Sequence, residues 1–172
     1  LGIGDKPLLL SFGGSLGARH INEAVTELIK RLGSSGDFYH IHAAGSAGYK
    51  TMLEALGDTK LSEYTDVREY INNMDVCMAA ADLVICRAGA ITLSELCCCG
   101  KPSVLIPSPY VAENHQYHNA MALVRRGAAE ILEEKDLTGE KLCQKVEEIF
   151  SKPGGVEDLG RNAKKMAILD AN

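Results

Sequence analysis

Arg87, Thr92 and Glu95 fall within ten residues, Cys86-Arg87-Ala88-Gly89-Ala90-Ile91-Thr92-Leu93-Ser94-Glu95, and their types suit an anion lying beside a set of hydroxyls. The apolar run Leu83-Val84-Ile85-Cys86 ahead of them reads as a buried parallel strand. Beyond the glycine turn, Ile91, Leu93 and Leu96 keep helical spacing. A helix starting there leaves the N–H groups of Ala90, Ile91 and Thr92 unpaired, so a phosphate at that point gains hydrogen bonds and the positive end of the helix dipole. Glu95 sits about one turn further in, where a bound phosphate would repel it unless it is aimed sideways. The hydroxyls of a ribose are the natural donors to a carboxylate so placed. The same ten residues also read as a plain helix start capped by Thr92 or Ser94, with Arg87 and Glu95 solvated.

Two other stretches could contribute. Gly13-Gly14-Ser15-Leu16-Gly17-Ala18 is a glycine-rich joint whose Gly13, Gly14 and Gly17 let the backbone approach a ligand closely, or simply make a tight turn with positive φ. Its spacing differs from the dinucleotide fingerprint. The second strand ends Ile41-His42-Ala43-Ala44-Gly45 without the acidic residue that would hold an NAD ribose, so a dehydrogenase is disfavoured. His115 and Gln116 can both donate and accept, which suits sugar hydroxyls, although both also suit a helix start. His40 and His42 share a strand face but have no cysteine or acid at metal-ligand spacing, and no zinc site is expected. Ser15 and Ser94 lack the frame of a nucleophile elbow.

The elements that must position these residues alternate. Strands are expected at 8–12, 38–43, 66–71, 83–86, 103–107 and 128–132. Helices fill 19–32, 49–56, 74–81, 90–99, 114–126, 138–151 and 156–169. Asn72-Asn73 is placed to cap the third helix, and residues 1–7 read as a linker or a cut end ahead of one domain over 8–172. The fold class is α/β, a Rossmann-like parallel sheet of about six strands with helices on both faces, whose ligands bind at the carboxyl ends of the strands. The glycine joint, Tyr70-Ile71-Asn72, the turn at Arg87 and the loop reaching His115 all converge on that edge.

Composition sets the outer bounds. The 172 residues are 46% hydrophobic and 24% charged, which fits an ordinary globular domain. Eighteen basic against 23 acidic side chains give a net charge of −5 with no basic block, so nucleic acid is not an expected partner. No apolar run approaches the ~20 residues that span a bilayer, and no membrane insertion is expected. Of the six cysteines, Cys97-Cys98-Cys99 are consecutive on a helix and so point about 100° apart. Cys77, Cys86 and Cys143 lie singly among apolar residues, as reduced structural thiols would in a reducing cytosol.

The glycine joint 13–18, the stretch 86–95 and His115-Gln116-Tyr117-His118-Asn119-Ala120 resemble, in order and spacing, the donor-binding half of the MurG family. These are the peptidoglycan UDP-N-acetylglucosamine:undecaprenyl-pyrophosphoryl-muramoyl-pentapeptide N-acetylglucosaminyltransferases, and the likeness runs from Leu8 to about Ile168. The resemblance implies the C-terminal domain of a two-domain GT-B glycosyltransferase, with UDP-N-acetylglucosamine as donor. It implies a lipid-linked acceptor held by an N-terminal domain that these 172 residues do not include, so this chain alone should not turn over. By the same resemblance, backbone groups at Ile71 hold the uracil, Arg87 covers it and Glu95 takes the ribose hydroxyls. The amides of Ala90 and Ile91 and the Thr92 hydroxyl face the diphosphate, with Ser15 near it. Gln116 reads the GlcNAc hydroxyls, chiefly the one at C4. The preceding position, commonly glutamine in the family, is His115 here. No cofactor is implied. The full-length protein would sit peripherally at the cytoplasmic face of the membrane, through its other domain. Two rivals keep the same sheet: a separate UDP-sugar-binding subunit of a two-chain transferase, as in the eukaryotic dolichol-linked enzyme, and a non-catalytic UDP-binding module.

Overall fold

Strand residues here alternate between two cores rather than between core and water. The computed structural model describes residues 4–33, 35–59 and 63–167. Its strands are β1 (Leu8–Phe12), β2 (Tyr39–Ala43), β3 (Thr65–Arg68), β4 (Leu83–Cys86), β5 (Ser103–Leu105) and β6 (Glu130–Ile131). The helices are α1 (Arg19–Leu32), α2 (Tyr49–Leu56), α3 (Met74–Ala80), α4 (Ala90–Cys99), α5 (His115–Val124), α6 (Gly139–Ser151) and α7 (Gly155–Lys165). Leu8, Leu10, Val84, Cys86 and Leu105 enter one core, with residues of α3, α4 and α5. Leu9, Leu83, Ile85, Val104 and Ile106 enter the other, with α1, α2 and α6. A parallel sheet covered on both faces requires such near-continuous apolar strands.

All strands are parallel, in the order β3-β2-β1-β4-β5-β6. β1 pairs with β2 on one side, Leu10 opposite Ile41, and with β4 on the other, Leu10 opposite Val84. The direction of winding reverses between β1 and β4. A crevice therefore opens at their carboxyl ends, flanked by the glycine joint and the turn at Arg87, and such switch points are where open α/β sheets take ligands.

Several expected boundaries shift. β3 stops at Arg68, not 71, because its single neighbour runs out: after Ala44 and Gly45 donate to Arg68 and Glu69, β2 has turned away. Ile71 accordingly lies in the loop before α3, its side chain 2% exposed. β5 ends at Leu105, ahead of Pro107, which has no N–H to donate, and β6, at the other edge, is two residues long. α5 begins at His115 and ends at Val124. The expected last residues of α7 lie partly outside the described region, as does Ile168. Asn73 stands at the N-cap of α3 without capping it, since its Oδ1 accepts from Arg68 Nη1 instead. Cys77, Cys86, Cys97 and Cys143 are buried, whereas Cys98 and Cys99 are exposed. Burial pushes the Cys86 thiol up to about 12, leaving it inert.

Candidate functional site

Each lip of the crevice is held by polar contacts beneath it. Under the glycine joint, the sheet face that packs on α1 carries Ser11, His40 and His42, all buried. Asn22 Nδ2 donates to Ala44 O at 2.8 Å, so its Oδ1 is left to accept from His42 Nε2 at 3.0 Å. His42 Nδ1 then accepts from the Ser11 hydroxyl, whose oxygen accepts from His40 Nε2, each at 2.7 Å. Every member is satisfied with both rings neutral, and burial lowers His40 to about 4 and His42 to about 3. The chain of bonds ties the start of α1 to the β2–α2 loop. Ser46 N reaches Ser15 O at 3.4 Å.

The other lip is the start of α4. Gly89 is its N-cap, with extended ψ of 143° and no side-chain cap. Neither Thr92 nor Ser94 caps the helix; Ser94 Oγ donates back to Ala90 O at 3.0 Å. The first bond into the helix is Leu93 N to Gly89 O, and the N–H groups of Ala90, Ile91 and Thr92 have no acceptor among the described residues. Ala90, Ile91 and Glu95 are exposed and Thr92 is half-buried. The amides and the carboxylate thus stand at the sheet's carboxyl edge, open to a ligand.

Between the glycine joint and the turn after β4 lies a cavity of about 560 Å³ lined by Gly13, Gly17, His20, Arg87, Gln116 and Glu134, among others. Arg87, Gln116, Gly13 and Gly17 are thereby brought together. Ser15, Gly14, Ile71, Ala90, Ile91, Thr92, Glu95 and His115 lie outside its lining. Arg87 Nη1 donates to Ile106 O at 3.2 Å and Pro107 O at 3.3 Å, and lies 2.5 Å from Glu134 Oε2. Its guanidinium is engaged on the β5 side of the crevice. Gln116 is half-buried, its Oε1 accepting from Ser108 N at 2.9 Å, and its NH₂ group has no acceptor among the described residues. His115 is exposed, with Nδ1 on Ala112 O at 2.9 Å. Asn119 Nδ2 donates to Ala88 O at 3.3 Å and fastens α5 to the turn after β4. A second cavity of about 550 Å³, between α1 and α2, is mainly apolar. On its wall the Asn22 amide is already committed to Ala44 and His42, and Arg19 and Lys30 are paired with Glu23 and Glu27.

Two residues of the cavity lining, His20 and Glu134, are not disclosed by the sequence, and the more buried of them is Glu134. It belongs to a 3-10 turn (Glu134–Asp136) after β6, and its side chain is only 5% exposed. Burial alone would raise its carboxyl. The hydrogen bond with His20 and the ion pair with Arg87 outweigh that and hold it below the usual carboxylate range.

The chain matches the model of the glycosyltransferase family 28 C-terminal domain over residues 8–171. It is 47% identical over 167 residues to the UDP-N-acetylglucosamine–N-acetylmuramyl-(pentapeptide) pyrophosphoryl-undecaprenol N-acetylglucosamine transferase of Acetivibrio thermocellus. That match covers 97% of this chain and 45% of the relative. The protein of the same name from Desulforamulus reducens is 44% identical over 171 residues, covering 97% and 46%. Among solved structures, Acinetobacter baumannii MurG superposes with a TM-score of 0.82 at 29% identity, over 95% of this chain and 47% of that one. A kitacinnamycin glycosyltransferase, TM-score 0.71 at 22% identity, shares the fold. The chain spans about half the length of the curated relatives it matches. With its motifs, its switch-point crevice and this match along nearly its whole length, the chain belongs to the glycosyltransferase family 28 C-terminal domain family.

Proposed function

We propose that this chain is the donor-binding half of an inverting N-acetylglucosaminyltransferase. It would take UDP-N-acetylglucosamine and serve transfer of GlcNAc to undecaprenyl-pyrophosphoryl-MurNAc-pentapeptide in peptidoglycan synthesis. The observation that carries the reading is the α4 start: three amides without an acceptor among the described residues stand at the sheet's carboxyl edge by the switch point, and Arg87 and Gln116 line a cavity beside the glycine joint. In this reading the N–H groups of Ala90 and Ile91 and the Thr92 hydroxyl receive the diphosphate, with Ser15 and the Gly13, Gly14 and Gly17 backbone close by. Glu95 takes the ribose hydroxyls and backbone groups at Ile71 hold the uracil. Arg87, engaged on the β5 side, serves the diphosphate and sugar end of the donor rather than covering the base. Gln116 donates to a GlcNAc oxygen, and His115 flanks it.

The chemistry is attack by an acceptor hydroxyl on the anomeric carbon as UDP departs. What this chain supplies is stabilisation of the charge that grows on the diphosphate, from fixed amides and a helix dipole that need no reorganisation. The acceptor and its general base belong to a second domain, and peripheral placement at the cytoplasmic membrane face would come through that domain. Among the described residues no helix is long and apolar enough to cross a membrane.

Calorimetric titration of this chain with UDP-GlcNAc, UDP-GalNAc, UDP and NAD, repeated on Glu95→Ala, tests the reading. UDP-GlcNAc should bind more tightly than UDP-GalNAc, and Glu95→Ala should lose about tenfold or more, the worth of a charge-assisted hydrogen-bond pair. Equal binding of all UDP ligands would favour a UDP-sensing module, and preference for NAD would overturn the reading.

A further inference from the structure

Glu134 joins both lips of the crevice from a third segment. One carboxylate oxygen meets Nδ1 of His20, on the first turn of α1 after the glycine joint, and the other lies 2.5 Å from Nη1 of Arg87, in the turn after β4. All three side chains line the same cavity. A carboxylate beside a diphosphate site is unfavourable unless it acts on something else there. Its partner is a guanidinium that donates through Nη1 to the carbonyls of Ile106 and Pro107, with the same Nη1 beside Glu134 Oε2. Nε and Nη2 make no hydrogen bond among the described residues, and this pair of parallel donors matches two phosphate oxygens.

We propose that Glu134 is a positioning residue for the donor's diphosphate: it anchors the Nη1 edge of Arg87, and His20 beside it, so that the Nε and Nη2 edge is presented to the phosphate oxygens. This rests on the donor-binding reading above. Without the carboxylate, Arg87 would keep two weak carbonyl contacts, swing among rotamers and lose the fixed fork on which bidentate recognition depends.

The test compares UDP with uridine, which has the base and ribose but no phosphate, by calorimetry for UDP and ligand-observed NMR for uridine. The proteins are the parent chain, Glu134→Ala, Glu134→Gln, Arg87→Ala and the double variant Arg87→Ala with Glu134→Ala, with a thermal midpoint for each. Glu134→Ala should weaken UDP about tenfold and leave uridine within about twofold, with Glu134→Gln intermediate. In the Arg87→Ala background the same change should cost less than about twofold. UDP affinity unchanged or tightened in Glu134→Ala would overturn the proposal, because the carboxylate would then be idle or opposing the anion. So would additive losses in the double variant, or equal loss of UDP and uridine with a lowered midpoint, the mark of a merely structural role. A parent that binds neither UDP nor uridine would instead defeat the donor-binding reading itself.

Discussion

Gln116 has one polar end committed and one available. Its Oε1 accepts from Ser108 N, so the NH₂ group is oriented without help from a ligand. Gln116→Ala should therefore lower the preference for UDP-GlcNAc over UDP-GalNAc by about fivefold to tenfold, the worth of one hydrogen bond, with UDP affinity within about twofold. A titration of the three ligands checks this, and an unchanged preference would remove Gln116 from sugar recognition. Ser103 presents the opposite case: wholly buried in β5, its hydroxyl has no partner among the described residues. Ser103→Ala removes that unsatisfied group, and urea unfolding should show stability unchanged or raised by up to about 1 kcal/mol. At this scale the sequence disclosed residues whose neighbours are local, since Arg87, Thr92 and Glu95 fall within ten residues across one strand–turn–helix joint. Glu134 was hidden because Glu133-Glu134-Lys135-Asp136 has the composition of a solvated surface run. Only the tertiary fold carries it under Arg87.

The glycine joint works as an element because two loops interlock. Gly17 has a φ of 84°, and a Cβ on it would lie 2.1 Å from Ala44 O; a Cβ on Gly45 would lie 2.1 Å from Gly17 N. Neither backbone can yield, because Asn22 and the Ser11–His42 chain fix Ala44 from below. Gly14, at a φ of 100°, has nothing within 4 Å of its Cβ position. Gly17→Ala should therefore cost about 2–4 kcal/mol and distort the glycine-joint side of the crevice, whereas Gly14→Ala should cost only the local backbone strain, about 1–2 kcal/mol. Thermal or urea unfolding of the two variants measures the difference, and equal losses would mean that the close approach of the loops is not what selects glycine. Element types were legible for the same reason that the sheet is stable: apolar strand runs and 3.6-residue periodicity each mark one burial geometry. Element ends were less so. β3 ends where β2 stops offering partners, and Asn73 caps nothing because Arg68 has taken its oxygen. Both outcomes depend on residues in other elements.

For the molecule as a whole, the buried histidine pair sets how stability responds to acid. His40 and His42 both titrate in the folded chain well below their ordinary value of 6.5, at about 4 and about 3. Burial is the main cause, and for His42 the neighbouring His40 charge adds to it. The unfolded chain therefore binds more protons than the folded one between pH 6.5 and roughly 3–4, and stability falls as pH falls through that window. At pH 5 each ring has drawn about 1.5 pH units of this difference, so the pair together should cost up to about 4 kcal/mol relative to pH 7.5. That is a large share of the 5–15 kcal/mol typical of a domain. Glu134 acts in a separate window: its carboxyl is held below the usual range, so its contribution is present above the ordinary carboxylate pKa and disappears only at still lower pH. Urea unfolding at pH 7.5, 6.5, 5.5 and 5.0 should show the midpoint dropping steadily across the series, before carboxylates begin to protonate. A flat profile would mean that the rings are charged in the folded chain, and would undo the proton assignment running from Asn22 through His42 and Ser11 to His40, on which the seating of the glycine joint rests.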